Sequence, residues 1–166
     1  MSDSGRFVHT IWCDDIRQEV GNKPSFMGVF TAGIMFPSLP AALPRLGVYT
    51  WIVAPIDLPT KVLQLQIVRD DGLVLAEITP EGPPQAGTAQ PRADDVTKQS
   101  VLVGVTMGPV EVPAGCKWFV VRVKFDDEEV EGPKLRVIDD PATFAKVAGA
   151  AASVELVAPE SPIGDS

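Results

Sequence analysis

Residues 118–125 carry the clearest hydropathy pattern in the chain, with Phe119, Val121, Val123 and Phe125 alternating against Arg122 and Lys124. A period of two sends successive side chains to opposite faces, so the segment predicts a strand with one buried face. Lys61 to Arg69 repeats the pattern, with Leu63, Leu65 and Ile67 set against Gln64 and Gln66. Asp71-Gly72 separates that run from a second apolar one and predicts a hairpin on a two-residue type I′ turn, both turn residues having positive φ. Such a turn sets Ile67 opposite Ala76 and Leu65 opposite Ile78, so apolar positions meet apolar positions. Other strands are predicted over Arg6 to Cys13 and over Ser25 to Phe36, where Phe26, Phe30, Ile34 and Phe36 share a face. Pro37, Pro40 and Pro44 interrupt pairing until the next strand, Leu46 to Ala54. Val101 to Val112 forms another, and the last ends in Leu135 to Ile138. Asp140 before Pro141 predicts a capped helix reaching about Ala151.

About eight short strands without β-α-β alternation predict an all-β fold, an antiparallel β-sandwich of immunoglobulin- or C2-like type with a short C-terminal helix. Composition agrees, because 22 Val, 9 Ile and 9 Thr among 166 residues make the chain rich in β-branched side chains. Residues 1–152 are expected to form one domain. Within it, residues 81–100 hold Pro83, Pro84, Pro91 and hardly any large apolar residue, which predicts a mobile loop. Residues 153–166 are expected to form a frayed tail.

Charge narrows the partners. With 14 basic against 22 acidic side chains, the net charge is -8. Such a surface repels phosphate backbones and anionic lipid heads, so neither nucleic acid nor membrane is an expected partner. The opening Met-Ser-Asp-Ser-Gly-Arg lacks the apolar run of a secretory leader, and a cytoplasmic product is expected. Cys13 and Cys116 then read as buried, reduced thiols.

Candidate chemistry is sparse. The one histidine, His9, lies four residues from Cys13 on the same predicted strand. That spacing is ~13 Å, far beyond the ~3 Å a nucleophile–base pair needs. One histidine and two distant cysteines do not make a zinc site. No nucleotide-binding or nucleophile-elbow motif is present, so no cofactor is expected and a hydrolase would have to work on carboxylates alone. If the strands ran simply up and down, Asp14, Asp15, Asp57, Asp94, Asp95, Asp126, Asp127 and Glu128 would share one end. Calcium requires six to eight oxygen ligands, which makes Asp14, Asp15, Asp57, Asp126 and Asp127 its weak candidates. The plainer explanation is that acidic residues populate turns and keep the surface soluble.

The block Trp12-Cys-Asp-Asp-Ile-Arg-Gln-Glu-Val-Gly-Asn-Lys23 resembles the amino-terminal signature of a family of small uncharacterised bacterial and phage-associated β-sandwich proteins. The resemblance continues through Gly33-Ile34-Met35 and the Leu39 to Leu46 region, and more loosely beyond. It implies a sandwich fold and, for a phage-encoded member, a place in the virion. Gly28 and Gly33, within the strand predicted over Ser25 to Phe36, predict bulges or a close-packed neighbour.

Two functions remain in view. The first is a non-enzymatic interaction or assembly module, concretely a phage or prophage virion accessory protein that binds a protein partner or itself. The alternative is a ligand- or calcium-binding sandwich that uses acidic loops at one end.

Overall fold

A computed structural model describes residues 5–31, 33–58, 60–79 and 97–151. Among them lie thirteen strands and one helix: β1 (Phe7–Cys13), β2 (Asp15–Glu19), β3 (Lys23–Met27), β4 (Ile34–Phe36), β5 (Ala41–Leu43), β6 (Leu46–Pro55), β7 (Leu63–Arg69), β8 (Val74–Ile78), β9 (Lys98–Met107), β10 (Val110–Val112), β11 (Trp118–Phe125), β12 (Glu128–Glu131), β13 (Leu135–Asp139) and α1 (Pro141–Ala151). One sheet has the order β1-β6-β9. The other runs β4-β13-β11-β7-β8, with β12 also paired to β11, and β5-β10 and β2-β3 form two separate ribbons. The fold is an all-β sandwich with a short C-terminal helix, and one pair, β13 with β4, is parallel.

The core lies between the two main sheets. Val8 and Trp12 of β1 and Val48, Ile52 and Ala54 of β6 bury one face of the three-stranded sheet. They join Leu63, Leu65 and Ile67 of β7 and Phe119, Val121, Val123 and Phe125 of β11 in one apolar cluster. This is the period-two pattern expressed as packing, since the alternating residues of β7 and β11 are nearly all inaccessible. Thr10 and Thr50, opposite each other on β1 and β6, are the buried polar pair on this face; their hydroxyls lie 3.4 Å apart. Asp140 caps α1 as expected, accepting bonds from the Ala142 and Thr143 amides at 2.9 and 3.2 Å.

Several expectations are corrected. The strand expected over Ser25 to Phe36 is split, because Asp15 to Met27 folds into the β2-β3 hairpin and only Ile34 to Phe36 forms β4. Gly21 and Asn22 turn this hairpin with positive φ of 82° and 61°, a region open to Gly and tolerated by Asn. The long strand expected over Val101 to Val112 is two, β9 and β10, broken at Gly108-Pro109. β9 starts at Lys98, so the proline-rich segment ends sooner than expected. The remainder of that expected loop, Asp94 and Asp95, and the tail 153–166 lie outside the described residues. The strand count rises from about eight to thirteen mainly through short ribbons that three to five residues suffice to build.

The β7-β8 hairpin has the expected register, Ile67 with Ala76 and Leu65 with Ile78, but reaches it by a different turn. Only Gly72 has positive φ, 87°. The Gly72 amide bonds to the Arg69 carbonyl and the Arg69 amide to the Leu73 carbonyl, both at 2.9 Å, which is a three-residue turn closed by a glycine bulge. Asp71 stays out of the left-handed region while its carboxylate accepts the Leu73 amide at 3.1 Å and binds the Arg69 guanidinium at 2.6 Å. A register shift between Ile67 and Val68 then restores the pairing that a two-residue turn would have given.

Candidate functional site

The outer face of the β1-β6-β9 sheet is apolar. Because Val48, Thr50 and Ile52 point inward on β6, Tyr49, Trp51 and Val53 must point outward. The register sets Phe7 beside Val53, His9 beside Trp51 and Ile11 beside Tyr49 on one flank. Leu102 lies beside Trp51 and Gly104 beside Tyr49 on the other. Rings run across this face in sequence: Phe26 meets Tyr49 edge-on at 5.0 Å, Tyr49 meets Trp51 at 4.8 Å, and His9 lies 5.8 Å from Trp51. Offset and edge-on aromatic pairs of this kind hold their rings in fixed orientation. Phe7 remains 45% exposed and Leu102 52%, and the Lys98 ammonium lies 5.1 Å above the Phe7 ring.

The β2-β3 hairpin overhangs one side of this face. Ile16, Gln18 and Pro24 face Tyr49, Leu102 and Thr106 across a cleft of about 470 Å³. Two local features hold the hairpin there. The Asp14 amide bonds to the Met27 carbonyl at 2.9 Å, and the Phe30 amide to the Trp12 carbonyl at 2.9 Å. Gly28, at φ 62°, leaves the space that the Asp14 carboxylate occupies, so any side chain there would collide with it. Gly33 likewise permits close approach, since a side chain would come within 2.8 Å of the Arg136 carbonyl on β13. Gly28 and Gly33 therefore both have close-packed neighbours, as expected.

The acidic residues do not come together. Asp14 and Asp15 follow the end of β1, where Cys13 pairs with Gly47. Asp15 forms ion pairs there with Arg45 at 3.0 Å and Arg17 at 3.7 Å. Asp57 follows β6, whose last residues pair with the first residues of β1, and so belongs to the opposite end. Asp126 is at that opposite end too, accepting the Lys61 and Val62 amides at 3.0 and 2.8 Å, with Asp127 next to it. β1 separates the two ends by about 20 Å. Among the described residues no three Asp, Glu, His or Cys side chains converge as a metal site would require. The expectation of one acidic end fails because β1 and β6 are adjacent antiparallel strands, with four short strands, β2 to β5, between them in sequence where one was expected.

His9 is exposed on the outer face beside Trp51, and Cys13 is buried on the same strand. Both cysteines are free. Burial first, and then the Asp14 charge, push the Cys13 thiol above its usual value. Burial and neighbouring Asp70 push the Cys116 thiol up to about 11. Neither is a thiolate near neutrality, so neither is an activated nucleophile. A second cleft, about 530 Å³, lies beside β5 and β10, but its one cation, Arg69, is bound to Asp71 and to the Glu111 carbonyl.

No family model, curated protein or solved structure matches the chain. The aromatic face was not singled out by the sequence reading. Its signal is that residues 7–12 and 48–53 are apolar on both faces although the other strands alternate, which requires something to cover the second face.

Proposed function

We propose that the protein is a non-enzymatic interaction module that binds a protein partner through the outer face of the β1-β6-β9 sheet. The observation that carries this reading is the contiguous row Phe7, Val53, Trp51, Tyr49 and Leu102, solvent-facing at both margins and made rigid by edge-on rings. Exposed apolar patches on soluble domains mark interaction sites, and Trp, Tyr and Phe are enriched where proteins bind one another. The chain's net charge of -8 favours solubility of the module. The resemblance of the Trp12 to Lys23 block to phage-associated proteins makes virion or prophage assembly the most concrete setting.

The test uses tagged protein recovered from its source cells. Wild type is expected to retain a partner at fixed stoichiometry. Phe7→Ser with Trp51→Ser is expected to lose it while still melting cooperatively, and Val74→Ser on the opposite sheet is expected to keep it. A partner held equally by all three, or by none, overturns the reading.

A further inference from the structure

β9 ends its sheet. Its ten residues pair with β6 along one side, and among the described residues no strand pairs with the other. Natural edge strands are short, or are protected by prolines, bulges or inward charges. β9 has none of these: its register against β6 is unbroken over all ten positions, and its one charged residue is Lys98 at the start. The inward row, Val101, Val103, Val105 and Met107, packs against the core yet stays half-buried, whereas the inward residues of β6 are sealed. Among the described residues, the core is thus open on the β9 side.

We infer that this edge pairs with the same edge of a second copy, joining two three-stranded sheets into one six-stranded sheet. The inference rests on the reading of the protein as an interaction module and names one of its partners. Three features select a second copy. The chain carries a net charge of -8, and two such molecules approach most easily along a strip without carboxylates, which β9 is. A two-fold axis perpendicular to the sheet brings outward residues opposite outward ones, so the edge is self-complementary. Centred on Leu102, that axis sets this exposed side chain against its own copy and Val101 against Val103 on the core side. It also places Lys98 opposite Thr106. The junction then joins Leu102 to Leu102 on the outer side, flanked by Ser100 opposite Gly104, and valines on the core side, and it is free of like-charge contacts.

Sedimentation across a concentration series is expected to give a species of twice the 17.7 kDa chain mass. Thr106→Lys puts like charges opposite each other twice across the axis and is expected to weaken the dimer roughly fivefold to tenfold. Adding Lys98→Glu to that chain is expected to restore it. Leu102→Cys is expected to oxidise to a covalent dimer, since directly opposed strand positions fall within disulfide range. Thr106→Cys alone is expected not to close, but to close when mixed with Lys98→Cys. A monomer at every concentration, or a Thr106→Cys chain that closes on itself, overturns the inference. Phe7→Ser with Trp51→Ser lies off the edge and is expected to remain dimeric. Loss of the heterologous partner and loss of the dimer are therefore read separately.

Discussion

Phe119 and Arg122 are three positions apart on β11 yet belong to different environments, and a truncation at each measures the difference. Phe119 is wholly inaccessible between the sheets, so Phe119→Ala removes a buried ring and leaves a cavity, at a cost of about 3–5 kcal/mol. Arg122 points away from the core and pairs with Glu129 and Glu131 at 3.0 Å. Surface ion pairs are worth little, and Arg122→Ala is expected to cost under about 1 kcal/mol. Urea midpoints of the two variants check this, and equal shifts would show that the β11 register is wrong. Cys116 offers a pH test. Its folded value, about 11, exceeds the ordinary 9.0, so in alkali the unfolded chain loses this proton first. Stability due to the neutral buried thiol is complete below pH 9 and falls as pH rises toward 11. Cys116→Ala is expected to lose less stability than wild type between those limits, as denaturation at stepped pH would reveal.

The β7-β8 hairpin shows how a local rule succeeds in register and fails in conformation. Asp-Gly between alternating runs marks the turn, but the Arg69–Asp71 ion pair and the Leu73 amide hold Asp71 outside the left-handed region, leaving only Gly72 in it. Gly72→Ala is accordingly expected to cost about 1–2 kcal/mol, and Asp71→Gly to weaken the hairpin by removing the carboxylate's contacts rather than relieving strain. Thermal melts of the two variants distinguish this turn from a type I′ turn, in which Asp71→Gly would stabilise. β7 and β11 were legible because five or more alternating residues specify them, β1 and β6 because they are apolar runs bounded by turn residues, and α1 because of its cap. β5 and β10 are three residues long, too short to display a period, and prolines surround them. The β2-β3 hairpin escaped because its residues lie outside the core and bury no continuous row, so hydropathy carries no strand signal there. The aromatic face was legible in principle, as strands apolar on both sides, but only the register shows that Phe7, Trp51 and Leu102 meet.

Four short strands between β1 and β6, where one was expected, alter the distribution of charge over the whole molecule. A simple up-and-down path would collect the turn carboxylates at one end, whereas the antiparallel β1-β6 pair places Asp57 and Asp126 at the opposite end from Asp14 and Asp15. Asp15 is already paired with Arg17 and Arg45, and Asp126 accepts hydrogen bonds from the Lys61 and Val62 amides, so these carboxylates act as ion-pair and turn groups. A specific calcium site saturated a hundredfold would add about 2.7 kcal/mol to the folded state, a rise of roughly 5–10 °C in melting temperature. Dispersed carboxylates gain only ionic screening, which depends on valence and concentration and not on ion size. Calcium is therefore expected to raise the melting temperature by no more than about 2 °C over EDTA, with magnesium giving the same shift. A large calcium-selective shift abolished by Asp126→Asn would mean that carboxylates from both ends, or from beyond the described residues, do converge. It would replace partner binding with ion binding as the reading of the molecule.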